Sequence, residues 1–196
     1  MILPVIGYGN SILKRKSKEV SDSYPGLKEL IRNMYDTMYN ASGVGLAAPQ
    51  IGKSVKIFII DTSPFLNMDD NEIKDYEVSS VKQTFINPTI LDETGEFWSF
   101  EEGCLSIPHI RERVKRKSDI KIEYYDENFN YRKDDFSGIV ARVIQHEYDH
   151  IQGILFTDKL TSFKKRLLKS KLNNIEKGDV DIDYLMEFYK KIKIQG

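Results

Sequence analysis

The stretch VIQHEYDHIQG, residues 143–153, places His146, Glu147 and His150 within five residues of a chain that holds only three histidines. On a helix, side chains four apart stand one turn above each other, so the imidazoles of His146 and His150 project from one face and can share a metal ion. Glu147 sits beside that face, where a carboxylate can take a proton from water on the metal without becoming a ligand. The plainer use of such residues is a solvated polar helix face; in a chain so poor in histidine the spacing favours the metal. A catalytic centre also needs a third protein ligand and an open position. Cys104 and His109 are the remaining soft or borderline ligands, and both lie in EEGCLSIPHI, residues 101–110. Gly103 permits close backbone approach and Pro108 stiffens the path, whereas a lone cysteine elsewhere is usually a small buried hydrophobe. Two imidazoles, a thiolate and a water would suit zinc or ferrous iron.

A third segment, GVGLAAPQ at 43–50, is rich in glycine but lacks the Lys-Ser/Thr pair of a phosphate-binding loop. It can carry backbone amides and the Gln50 side-chain amide to a reacting carbonyl, or it can be a tight turn with Gln50 at the surface.

These segments need elements to hold them. Leu27, Leu30, Ile31, Met34 and Met38 recur at helical spacing and predict an amphipathic helix over 24–41, with Ser23 as N-cap and Pro25 in its first turn. A structured loop follows over 42–52, then a buried strand over 55–61, VKIFIID. Residues 61–80 carry six acidic residues against one lysine and read as a surface excursion. Strands are expected at 84–90 and 119–126, and NFNY at 128–131 reads as a turn into another. Residues 138–152 have helical periodicity ending at Gly153, which puts the HExxH motif on a helix. A basic helix is expected over 162–176, with YLMEFYKKI, 184–192, continuing as helix. The predicted class is α+β: antiparallel or mixed strands around a central HExxH helix, with an N-terminal amphipathic helix and a C-terminal helix. The whole chain, 1–196, reads as one domain.

Composition excludes several functions. Lysine and arginine number 29 against 30 acidic residues, a net charge of −1, so no global field points to nucleic acid. The first ten residues lack a basic start and a signal-peptide core, and no apolar run approaches the roughly 20 residues that span a bilayer. One cysteine rules out an intrachain disulfide and suits a reducing cytoplasm.

Together, GVGLAAPQ, EGCLS and QHEYDHIQG, in this order and spacing, resemble the three motifs of the peptide deformylases, which remove the N-formyl group from newly made polypeptides. Gly43, Gly45, Ala47, Ala48 and Gln50 match the first motif, and Glu102, Gly103, Cys104 and Ser106 the second. Gln145, His146, Glu147, Asp149, His150 and Gly153 match the third. The resemblance spans residues 4–159. It implies a divalent metal held by Cys104, His146 and His150, ferrous iron in the cell, with zinc, nickel or cobalt as substitutes. It further implies Glu147 as the base acting on water, and an oxyanion met by Gln50 and the backbone N–H of Leu105. Val44, Phe100, Val143 and the stem of Arg142 are expected around the methionine side chain, with Gly45 and Leu46 offering backbone bonds. Arg111 is expected either at the peptide or paired with Glu102, and Glu102, Gln145 and Asp149 behind the ligands. The substrates implied are N-formylmethionyl nascent peptides.

Residues 159–177 hold seven Lys/Arg and one Glu, a local +6. That charge serves either a solvated helix face or docking on ribosomal RNA. Three rival readings keep part of the motif set. A zinc endopeptidase would take Glu176 or Glu187 as third ligand. A structural metal module would take His109 as fourth. A Cys-His hydrolase would use Cys104 as nucleophile.

Overall fold

The computed structural model describes residues 1–67 and 80–189. The fold is α+β. Five antiparallel strands, in the order β2-β3-β4-β5-β6, form the main sheet: β2 Gly45–Ala47, β3 Ile57–Asp61, β4 Lys82–Cys104, β5 Ile107–Tyr125 and β6 Tyr131–Ser137. A separate parallel pair joins β1 Val5–Ile6 to β7 Met186–Glu187. Three α-helices accompany them: α1 Leu27–Asn40, α2 Gly138–Ile151 and α3 Ser162–Lys177.

The sequence IFIID of β3 is buried at every position because it lies between two helices. Strand side chains alternate in direction. Ile57 and Ile59 therefore pack with Leu30, Ile31, Met34 and Met38 of α1, while Phe58 and Ile60 pack with Val140, Ala141, Val143 and Ile144 of α2. Such a two-sided strand reads as a continuous apolar run rather than an alternating one. A third cluster seats Leu168, Leu172 and Ile175 of α3 against Ile107, Ile110 and Val114 of β5. Helix α2, which carries HExxH, is buried at every residue except Tyr148. It ends where Gly153, at φ +76°, lets the Ile154 N–H reach back to the Asp149 carbonyl at 2.9 Å; a side chain at 153 would meet the Lys14 backbone at 2.7 Å.

Several boundaries differ from those read in the sequence. Helix α1 starts at Leu27 behind a left-handed Gly26, not behind Ser23, because two successive turns, Tyr24 N–H to Ser21 O and Leu27 N–H to Tyr24 O, occupy residues 21–27. Pro25 therefore lies outside the helix. The 42–52 segment is not all loop: residues 45–47 form the edge strand β2 and Ala48–Ile51 a 3₁₀ turn. Strands β4 and β5 run far beyond 84–90 and 119–126, as one long hairpin whose exposed middle, residues 91–97, has only Leu91 and Phe97, both exposed, and no alternating apolar pattern. Residues 184–189 are not helical. Ile182, Tyr184, Met186 and Phe188 alternate inward on an extended path, and exposed Leu185 and Tyr189 blur that alternation in the sequence. Residues 68–79 of the acidic segment and 190–196 of the tail lie outside the described residues. No helix among the described residues is long and apolar enough to cross a membrane.

Candidate metal centre and active site

The turn of the long hairpin consists of Leu105 and Ser106, between paired residues Cys104 and Ile107. It delivers Cys104 to the buried face of α2. There the ligand atoms of Cys104, His146 and His150 all lie within 4.8 Å of one another, with Cys104 Sγ 3.2 Å from His150 Nε2. This is the one such group of metal-binding side chains among the described residues. His109 takes no part. It is exposed, sits at φ +60° in the bulge after the turn, and its Nε2 contacts the Asp181 carbonyl.

Supporting groups fix the ligands. His146 Nδ1 faces Glu102 Oε2 at 2.9 Å, which leaves Nε2 for the ligand cluster. Glu102 is itself gripped by the Arg116 guanidinium at 2.7 and 2.9 Å and by Arg142 Nη1 at 2.9 Å. Arg116 also donates to Asp149 at 2.6 Å, and Lys159 reaches Asp149 at 3.2 Å. Burial alone would raise the Glu102 pKa, but the Arg116 and His146 contacts outweigh it and hold the carboxyl well below the usual range. Burial likewise opposes charge on His146, yet its contacts with Cys104 and Glu102 raise its pKa. His150 is pushed well down by burial and by the nearby His146 and Arg116 charges, so it stays neutral with a lone pair to offer. Its Nδ1 is buried without a hydrogen-bond partner. A thiol and two imidazoles at this separation fit a soft or borderline divalent ion.

Glu147 follows His146 on α2, and its carboxylate lies against Gly45 of β2. Burial lifts its pKa to about 7, with the Glu102 charge adding to the rise and those of His146 and Arg116 opposing it. Its Oε2 is buried without a hydrogen-bond partner, a costly arrangement that a folding core alone does not select. Gly45 makes room for it. A Cβ on residue 45 would stand 2.4 Å from Glu147 Oε1. Gln50 closes the other side. Its Oε1 accepts from Ala47 N–H at 2.8 Å, which turns Nε2 toward Cys104 Sγ at 3.5 Å and Ser106 Oγ at 3.3 Å.

The remaining expected residues separate into two sets. Val44 and Val143 share one apolar cluster, while Phe100 stacks obliquely on Trp98 in a smaller cluster with Ile139. Leu46 is fully buried, and β2 is an edge strand. Gln145 ties α2 to β5 by donating to the Lys117 carbonyl at 3.0 Å. Of the two places expected for Arg111, the pairing with Glu102 is not the one seen. Arg111 is exposed, opposite Gly103, and does not pair with Glu102; Arg116 does. Arg142 is 2% exposed, with its guanidinium on Glu102, the Val114 and Trp98 carbonyls and the Trp98 ring, so its charged end braces Glu102. Arg116 was missed. Its signal is positional: inward residues of β5 are even-numbered, from Ile110 and Val114 to Ile120 and Ile122, so Arg116 faces inward and needs a buried carboxylate.

Comparison with known proteins identifies the family. The polypeptide deformylase family model matches residues 2–166. The peptide deformylase of Christiangramia forsetii is 58% identical over 191 residues, covering 96% of each chain. That of Flavobacterium psychrophilum is 53% identical, covering 97% of this chain and 99% of its own. Among solved structures, peptide deformylase from Ehrlichia chaffeensis superposes with a TM-score of 0.80 at 31% identity, over 91% of this chain and 99% of that one. The Plasmodium falciparum enzyme does so with 0.75 at 36% identity, over 87% and 94%. The chain therefore belongs to the polypeptide deformylase family, metal-dependent hydrolases that remove the N-formyl group from nascent polypeptides.

Proposed function

We propose that Cys104, His146 and His150 hold the metal ion and that Glu147 is the catalytic base. The observation that carries this is the convergence of the three ligand atoms beside a buried carboxylate with an unpartnered oxygen. When bound, the ion acidifies a water and polarises the formyl carbonyl. Ferrous iron is the ion we propose in the cell, with zinc, nickel and cobalt as substitutes, because a thiolate with two imidazoles accepts all of them. Glu147 takes a proton from the attacking water and returns it to the departing amine. The formyl C–N bond breaks, formate leaves with the water oxygen, and the peptide gains a free amino terminus. Charge developing on the carbonyl oxygen is met by Gln50 Nε2, whose orientation Ala47 supports, and by the Leu105 backbone N–H.

The methionine side chain is proposed to rest on Val44, Val143 and Phe100, and the peptide to run along Gly45 and Leu46. As an edge strand, β2 has one row of backbone groups with no ladder partner in the sheet. Exposed Arg111, beside Gly103, is proposed to meet residues further along the peptide. Lys165, Arg166, Lys169 and Lys171 form the exposed basic side of α3 and are the surface we propose for ribosomal RNA, in keeping with the cytoplasmic location we propose. Replacing Lys165, Arg166 and Lys169 by glutamate is expected to abolish ribosome co-sedimentation and leave turnover of free peptides unchanged.

Metal analysis with kinetics tests the central assignments. Glu147→Ala is expected to keep one metal per chain and lose turnover, and Cys104→Ala to lose the metal. His109→Ala should retain both. Metal loss in His109→Ala with Cys104→Ala intact would overturn the ligand set.

A further inference from the structure

The turn that bears Leu105 is fastened by a segment far away in the chain. Tyr184 donates its hydroxyl to the Leu105 carbonyl at 2.7 Å, across 79 residues of sequence. The tail reaches this place by design of its local structure. Gly178, at φ +77°, ends α3 with its N–H on the Ile175 carbonyl, and the chain then reverses. Phe188 packs against both Gly7 and Gly178, where a Cβ would stand 2.9 and 3.0 Å from its ring. Val5 and Gly7 donate to the Leu185 and Glu187 carbonyls, each at 2.9 Å, which sets the register. His109, just past the turn, contacts the Asp181 carbonyl. Even-numbered side chains then face the body of the protein, and Tyr184 is the one that meets the turn.

We infer that Tyr184 is a positioning residue for the reaction: from the returning tail it fixes the Leu105–Ser106 peptide plane, and through the Leu105 φ and ψ torsions it limits the swing of the adjoining Cys104–Leu105 plane, which carries the Leu105 N–H. The inference rests on the role proposed above for that N–H. A two-residue turn has few internal hydrogen bonds to hold its peptide planes. Here the neighbouring Ser106 carbonyl accepts from Tyr8 N–H at 2.9 Å, the Ser106 hydroxyl from Gln50, and the Leu105 carbonyl from Tyr184. Removing the last frees rotation about the Leu105 backbone next to the donor. Burial and the nearby Cys104 and Asp183 charges raise the Tyr184 pKa, so the hydroxyl remains a donor throughout the working range. Displacement of a donor by a fraction of an ångström is costly to catalysis and nearly invisible to ground-state binding.

The test is Tyr184→Phe in the full-length, metal-loaded enzyme, beside Gln50→Ala. Tyr184→Phe keeps the ring, and is expected to lower kcat per bound metal about tenfold, less than loss of a donor itself, with KM within about twofold of the parent. Amide hydrogen exchange over residues 104–107 is expected to quicken. A merely structural role would lower metal content and activity together and leave kcat per bound metal at the parental value, which overturns the proposal; so does a rise in KM with kcat unchanged. If Gln50→Ala collapses kcat while Tyr184→Phe does not, the positioning role fails and the oxyanion reading stands. If neither lowers kcat, the oxyanion reading fails and takes this proposal with it.

Discussion

Glu147 is a buried carboxylic acid whose pKa is raised from 4.5 to about 7, a stability cost that fits the role of base proposed for it. Below pH 4.5 Glu147 is protonated in both folded and unfolded chains. As pH rises to about 7 the unfolded chain releases the proton first, so the metal-free protein loses stability across that window, by roughly 3 kcal/mol for a shift of this size. Metal-free Glu147→Gln is therefore expected to be more stable than the parent at pH 8 by roughly that amount, and equal to it near pH 4.5, as measured by urea unfolding at both pH values. Arg116 has the opposite part. Replacing it by Met leaves Glu102 and Asp149 short of a buried cation, and is expected to cost roughly 3–5 kcal/mol in the same assay. The exposed Lys56–Glu19 pair, at 2.8 Å, is expected to contribute no more than about 1 kcal/mol. At this scale HExxH was legible because helical spacing alone aligns its imidazoles. Arg116 was concealed among the lysines and arginines of β5, and only the inward alternation of that strand reveals it.

At the scale of elements, three pieces of backbone meet at the site: an edge strand, a hairpin turn and a buried helix. Gly45 on β2 is the point of closest approach, since its missing side chain is the space that Glu147 occupies. Gly45→Ala is expected to move the carboxylate and lower kcat about 100-fold with metal content unchanged, which steady-state kinetics and metal analysis will show. Both helices flanking β3 were readable from their periodicity, and so was β3 from its apolar run. The hairpin was readable only at its ends, because its middle faces solvent and carries no apolar pattern. The tail misled for a related reason. A strand of two residues gains its position from Val5, Gly7 and Leu105, contacts that no local pattern encodes.

For the whole molecule, residues 50, 104 and 147 come together only because one long hairpin folds its turn onto a helix from later in the chain. The order of three short motifs carried that arrangement in the sequence, while the braces behind it, Arg116, Arg142 and Tyr184, lay outside them. Because the proposed metal ligands are also side chains of the folded core, chelation is expected to lower the melting temperature, and re-addition of cobalt or nickel to restore it. The most direct measurement is formate release from an N-formylmethionyl peptide by the purified, anaerobically metal-loaded protein. One formate per free amino terminus, abolished in Glu147→Ala that still binds metal, is the predicted result. No formate from the fully metallated protein, or cleavage of an internal peptide bond in an unformylated substrate, would contradict it.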